Sequence, residues 1–165
     1  MKIHPTAIVD AKGQIGREVE IGPYSFVGPN VILGDGCRLH HHCTVEGNTS
    51  LGEGCEVYPQ AVLGMPPQDV KYKGEETRLE IGADNNFRES VTIHRGTSGG
   101  GGVTRIGDGG FFMAGVHVAH DCRVGNRVVM ANHATLAGHT VVEDYAVFGG
   151  MVAVGTFLRI GESAM

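Results

Sequence analysis

An apolar residue returns every six positions along almost the whole chain. The series begins at Ile3 and runs through Val9, Ile15, Ile21, Val27, Leu33, Leu39, Val45, Leu51 and Val57, then resumes at Ile81, Phe87 and Ile93. From Ile106 it continues through Phe112, Val118, Val124, Met130, Leu136, Val142, Phe148 and Val154 to Ile160. A fixed period of this length predicts a parallel β-helix built from hexapeptide repeats. Each hexad holds one short pleated segment, because a strand buries alternate side chains. The second hexad position is often glycine, as at Gly22, Gly34, Gly82 and Gly125, which predicts a corner in a conformation closed to most residues. The fifth position is mostly small, as at Ala7, Ser25, Cys37, Thr49, Ala61, Cys122 and Ala134. Lead and fifth side chains are therefore expected to fill a narrow core together.

The repeat breaks twice, at about 64–80 and 98–105. Met65-Pro66-Pro67 cannot continue a sheet ladder, and the second break carries four consecutive glycines, Gly99 to Gly102. Function collects on loops held by a rigid scaffold, so both breaks are read as extruded functional loops. The hexapeptide pattern resembles that of the left-handed β-helix acyltransferases, which implies three hexads to a coil; so phased, those led by Ile93, Val118, Leu136 and Val154 fall on one face. That phasing gathers His94, His120 and His139, with His117 at the corner leading into the Val118 hexad. Convergence of this kind predicts a site.

Composition adds bounds. One repeat domain over 1–165 is expected, stabilised by coil-on-coil stacking. The 27 glycines recur with the period and so mark corners rather than low complexity. Cys37, Cys43, Cys55 and Cys122 all occupy fifth positions, which predicts buried thiols rather than disulfides or metal ligands. A formal charge of −5 argues against general nucleic-acid binding. No stretch approaches the roughly 18 apolar residues of a membrane span, and Met1-Lys2-Ile3 starts directly on the first repeat. A cytoplasmic protein without stable membrane insertion is expected. The run His40-His41-His42 lies at positions two to four and reads as exposed corner polarity.

Several segments are more selective than the period. They are His117-Val118-Ala119-His120-Asp121-Cys122, Ala134-Thr135-Leu136-Ala137-Gly138-His139, the run from Gln68 to Arg78, and the run from Arg88 to Thr97. In these the chain resembles the UDP-N-acetylglucosamine 3-O-acyltransferases of lipid A synthesis. The resemblance implies a left-handed β-helix and transfer of an (R)-3-hydroxyacyl group from acyl carrier protein to the sugar 3-hydroxyl, with no separate cofactor or metal. It assigns His120 as general base, Asp121 as its orienting partner and the Gly138 N–H as oxyanion contact. It gives Asp69, Lys71, His94, His117 and His139 to the nucleotide sugar or the phosphopantetheine arm. It further implies a homotrimer with sites between neighbouring prisms. The acidic carrier protein should meet a basic patch drawn from Arg88, Arg95, Arg105, Arg123 and Arg127.

Two departures from the family qualify this. Gly155 and Thr156 stand where relatives usually carry histidine and glutamine. Relatives also continue past Ile160-Gly161-Glu162-Ser163-Ala164-Met165 into further coils and a C-terminal helical domain, which is expected to be absent here. Activity impaired by truncation, or a catalytically silent scaffold or fragment, is the alternative these features raise. A zinc enzyme like the gamma-class carbonic anhydrases is a further alternative, although His117 and His120 are spaced differently from its ligands.

Overall fold

The computed structural model describes residues 1–165 and places 24 short strands in three parallel sheets of eight. Ile3 pairs with Ile21 and Ile21 with Leu39, so one triangular coil takes three hexads. The three sheets form a left-handed parallel β-helix. Most strands are only two residues long. They carry too little twist to impose the right-handed crossover that longer parallel strands favour.

The core is one continuous cluster of 33 buried residues. Lead residues such as Leu33, Leu63, Phe87, Ile93, Phe112, Met130 and Leu136 are fully buried, and fifth-position residues stack beside them. All four cysteines are free and buried, and their Sγ atoms donate to backbone carbonyls, Cys37 to Gly52 and Cys55 to Gly82. Burial pushes the Cys43 thiol up to about 12. Asn85, at a fifth position, is equally buried. Its amide donates to the carbonyls of Gly82, Ala83 and Gly107 and accepts from Gly110, so no polar atom is stranded there.

The corners work differently from the sequence expectation. Positive φ falls at the fourth hexad position, where Tyr24, His42, Asp84, Ser90, Asp121, Arg127, His139 and Phe157 all have φ between 55 and 62 or close to it, with Arg127 at 53. These residues tolerate the left-handed region because their N–H groups extend the ladder at the corner. The His42 N–H donates to the Pro23 carbonyl, that of Arg127 to Asp108 and that of His139 to His120. The second-position glycines have ordinary φ and answer to close packing. A Cβ at Gly22 would lie 2.6 Å from the His40 carbonyl oxygen, and one at Gly52 2.6 Å from the Ala83 nitrogen.

Both interruptions leave the prism. Val57 pairs with Phe87 and Phe87 with Phe112, so a coil is lengthened at each. The strands Val62–Met65 and Arg78–Ile81 bracket the first loop, confining it to 66–77, slightly less than expected. The second holds a single 3-10 turn, Ser98–Gly100, and returns as the strand Val103–Ile106, so residues 103–105 belong to the sheet. No helix is long and apolar enough to cross a membrane.

Candidate active site at one corner of the prism

The strands Thr92–His94, His117–Val118, Thr135–Leu136 and Ala153–Val154 are consecutive in one sheet, as the six-residue phasing implies. His117 lies within its strand rather than at a corner, and its Nδ1 shares a 2.7 Å hydrogen bond with Thr92 Oγ1. The four histidines arrive as two edge-to-face pairs. The rings of His94 and His117 are 5.0 Å apart, and those of His120 and His139 are 5.2 Å apart.

The first pair sits on the sheet. His94 is buried and its Nδ1 has no hydrogen-bond partner. Burial, reinforced by the neighbouring His117, His120 and Arg95, lowers its pKa to about 4. His117 is lowered too, by burial and then by His120. Both imidazoles are therefore neutral near pH 7 and offer a polar edge without charge.

The second pair occupies the corner. His120 Nδ1 lies 2.8 Å from Asp121 Oδ2, and the Asp121 side chain is only 1% exposed. A buried carboxylate needs donors, and Asp121 has them. Thr97 N–H donates to Oδ1 at 2.9 Å and Thr97 Oγ1 to Oδ2 at 2.6 Å. An ionised Asp121 accepts the His120 Nδ1–H, which leaves Nε2 of that ring as the basic nitrogen. The ring lies against Gly138: a Cβ there would stand 2.6 Å from its Cε1 and 2.8 Å from Nε2. The Gly138 N–H has no acceptor within the chain. A base and a free backbone donor are thus neighbours, the arrangement that acyl transfer requires.

Beside this corner a cavity of about 390 Å³ is lined by Asp69, Lys71 and Tyr72 from the first loop, Thr97 and Ser98 from the second, and His139 with Phe157. His139 and Phe157 stack at 4.4 Å with their planes 6° apart. Arg95 anchors the first loop, donating to the Gly64 carbonyl at 3.0 Å and to the Tyr72 hydroxyl at 3.2 Å.

The structure therefore joins Asp69 and Lys71 to His139, and His120 to Asp121, Gly138 and His139, while His94 and His117 form a separate pair on the sheet. Sequence reasoning missed Thr97, Thr104 and Phe157. The available signal was that Thr97 lies two residues before the glycine run. The five arginines do not form one patch. Arg95 is the loop anchor, Arg88 pairs with Glu89 and covers the Tyr58 ring at 4.4 Å, and Arg105 pairs with Glu80 at 2.9 Å. Arg123 is the register neighbour of Arg105, and Arg127 leans toward Tyr145. In the triple-histidine run His41 and His42 are exposed, whereas His40 is half-buried, bonded to Glu56 at 2.8 Å and stacked on Tyr58. The side chains close enough to share a metal ion are His120, Asp121 and His139, so the His117–His120 spacing does not gather a three-histidine zinc set.

Residues 12–47 match the family model described as bacterial transferase hexapeptide (six repeats). The chain is 54% identical over 145 residues to the acyl-[acyl-carrier-protein]–UDP-N-acetylglucosamine O-acyltransferase of Thermodesulfovibrio yellowstonii, covering 88% of this chain. It spans just over half of that relative, 56% of its length. A crystal structure of a UDP-N-acetylglucosamine acyltransferase superposes with a TM-score of 0.95 at 47% identity, over 96% of this chain and 61% of the other. The UDP-N-acetylglucosamine O-acyltransferase of Moraxella catarrhalis gives a TM-score of 0.95 at 45% identity, over 97% and 62%.

Proposed function

The chain is a homologue of the UDP-N-acetylglucosamine O-acyltransferases, and on that premise we propose that it carries the acyl-transfer centre of such an enzyme. The reaction moves an (R)-3-hydroxyacyl group from acyl carrier protein to the 3-hydroxyl of UDP-N-acetylglucosamine, the first step of lipid A biosynthesis. The observation that carries this reading is the contact between the His120 ring and Gly138 beside an unpaired backbone N–H.

A sugar hydroxyl is a poor nucleophile at neutral pH and needs a positioned base. His120 Nε2 takes the hydroxyl proton as the sugar oxygen attacks the thioester carbonyl. The negative charge on the carbonyl oxygen is met by the Gly138 N–H. Collapse of the tetrahedral intermediate expels the phosphopantetheine thiolate, which takes the proton back from His120. Asp121 keeps the imidazole in the required tautomer and stabilises its transient positive charge. Asp69, Lys71 and His139, around the cavity, hold the nucleotide sugar or the carrier arm, and the uncharged His94 and His117 edges contact substrate along the sheet.

The same reading takes the working unit to be a cytoplasmic homotrimer, with the corner site closed by a neighbouring prism. Acyl transfer by the parent chain and by His120→Ala tests the assignment. The variant should lose on the order of 10²–10⁴ in kcat, and undiminished transfer would overturn the role of His120. Nucleotide-sugar binding without turnover in the parent would instead favour a silent scaffold, a reading that Gly155 and Thr156 motivate.

A further inference from the structure

The corner that holds Asp121 departs from most other corners in how its backbone is satisfied. At most of them the fourth-position N–H donates to a carbonyl one coil below, as Arg127 does to Asp108, His133 to Ala114 and His139 to His120, while Tyr24 donates to Thr6 Oγ1 at 3.0 Å. Beneath Asp121 the chain has left the prism to form the second loop, and that carbonyl is missing from the pattern. The Asp121 N–H donates instead to Thr104 Oγ1, at 2.8 Å, from a fully buried threonine. Asp121 nevertheless holds a φ of 60, so a side chain on the returning strand replaces the lost backbone cap.

The carboxylate is secured from the other limb of the same loop. Thr97 supplies both its N–H and its hydroxyl, one to each carboxylate oxygen. The 3-10 turn Ser98–Gly100 then passes so close that a Cβ at Gly100 would stand 2.0 Å from Asp121 Cγ. Only glycine fits there, and its closeness leaves no room for water above the carboxylate. With Thr97 and the loop occupying its other faces, Asp121 Oδ2 faces His120 Nδ1 at 2.8 Å, with His139 Nε2 farther off at 3.8 Å.

We infer that Thr97 is a positioning residue for the proposed reaction. Its hydroxyl and N–H clamp the Asp121 carboxylate so that Oδ2 faces His120 Nδ1–H, and the glycine-rich loop exists at this corner to deliver that clamp. The inference rests on the acyl-transfer reading for its kinetic consequence, but the clamp itself is independent of it. Thr97 borders the cavity, but its N–H and hydroxyl are both committed to Asp121. It acts through Asp121, so its loss should fall on kcat and spare KM.

The test compares Thr97→Val, which keeps the shape and deletes the hydroxyl, with Thr97→Ser, which keeps the hydroxyl, in the full chain. Two readouts are taken: acyl transfer from acyl carrier protein to UDP-N-acetylglucosamine, and the downfield proton resonance of His120 Nδ1–H, assigned with His120→Ala. Thr97→Val should lower kcat on the order of 10- to 100-fold, with KM within about twofold. The same variant should broaden or lose the imidazole resonance through exchange, while Thr97→Ser stays close to the parent in both. If Thr97→Val folds poorly, Thr97→Ala carries the same expectation without added apolar bulk. A valine variant with parental kcat and an intact resonance overturns the clamp. A parent chain without acyl transfer defeats the proposed reaction instead, and the resonance then still decides the clamp: retained in Thr97→Val, the inference fails; lost there and kept in Thr97→Ser, it stands.

Discussion

Two corners of the same prism use the third hexad position in opposite ways. After the strands led by Ile81, Ile106 and Val124, side chains close the backbone. Ala83 N–H donates to Asp108 Oδ1 at 2.7 Å, Asp108 N–H to Asn126 Oδ1 at 2.8 Å, and Asn126 N–H to Asp144 Oδ1 at 2.7 Å. Each coil caps the one below, from Ala83 up to Asn126. After Val118 and Leu136 the equivalent residues are His120 and Gly138, and neither N–H has an acceptor within the chain. The glycine has no side chain to cap with, and the space it leaves is filled by the imidazole. One architecture thus yields a sealed structural corner and an open chemical one, and the difference is a few side chains at a single repeat position.

Gly138→Ala is the strongest way to break that contrast, after removal of His120 itself. Gly138 has no positive φ, so alanine suits its backbone, but the new methyl would meet the His120 ring. Displacing the ring by an ångström should lower kcat by roughly 100-fold while leaving the thermal midpoint nearly unchanged. Parental activity in this variant would show that ring placement against Gly138 does not matter.

Acid should separate the two regions next. The folded chain keeps His94 neutral down to about pH 4, whereas the unfolded chain protonates it near its ordinary value of 6.5. Acidification through that window loads protons onto the unfolded state, so stability falls as pH drops from 6.5 toward 4; His117 acts in the same direction. By pH 5 the loss is on the order of 2 kcal/mol. The sealed corner responds later. Backbone and side-chain donation from Asn126 lowers the Asp144 pKa below 3.8, so its contribution is lost only as pH falls further. Urea midpoints at pH 7 and pH 5 measure this, and His94→Gln should flatten the dependence between them. An unchanged slope in that variant would move the effect elsewhere.

The smallest effect is the converse one. Asp144→Ala removes the bonds to Asn126 N and to Asn126 Nδ2, the latter at 3.1 Å. It should lower the thermal midpoint only slightly, with acyl transfer per folded molecule unaltered. A loss of activity larger than the loss of folded protein would mean that the two corners are coupled.

Much of this was legible along the chain. Counting in sixes places the apolar leads and the small fifth residues in the core, and counting in eighteens places His117, Thr135 and Ala153 in one ladder, which Thr92 joins across the second loop. His120, Asp121 and His139 stood out because their hexads coincide in phase. The role of the glycines was less legible. Gly22 and Gly52 are glycines because a neighbouring coil passes too close, and a neighbour eighteen or more residues away leaves no local trace. The left-handed residues escaped notice for the complementary reason: Tyr24, His42 and Phe157 are not turn formers, and only the hydrogen bond to the coil below makes the conformation affordable.

The six-residue period is enough to specify stacked parallel coils with a thin aliphatic core, because strand alternation and corner spacing act locally and repeat identically. It does not specify what meets at a corner when the repeat is interrupted. The extra residues between Ile93 and Ile106 cancel one backbone cap, and their return path decides that Thr97 and Thr104 replace it on Asp121. Those contacts depend on where a glycine-rich loop lands in space rather than on any spacing, so they come into view only once the coils are stacked.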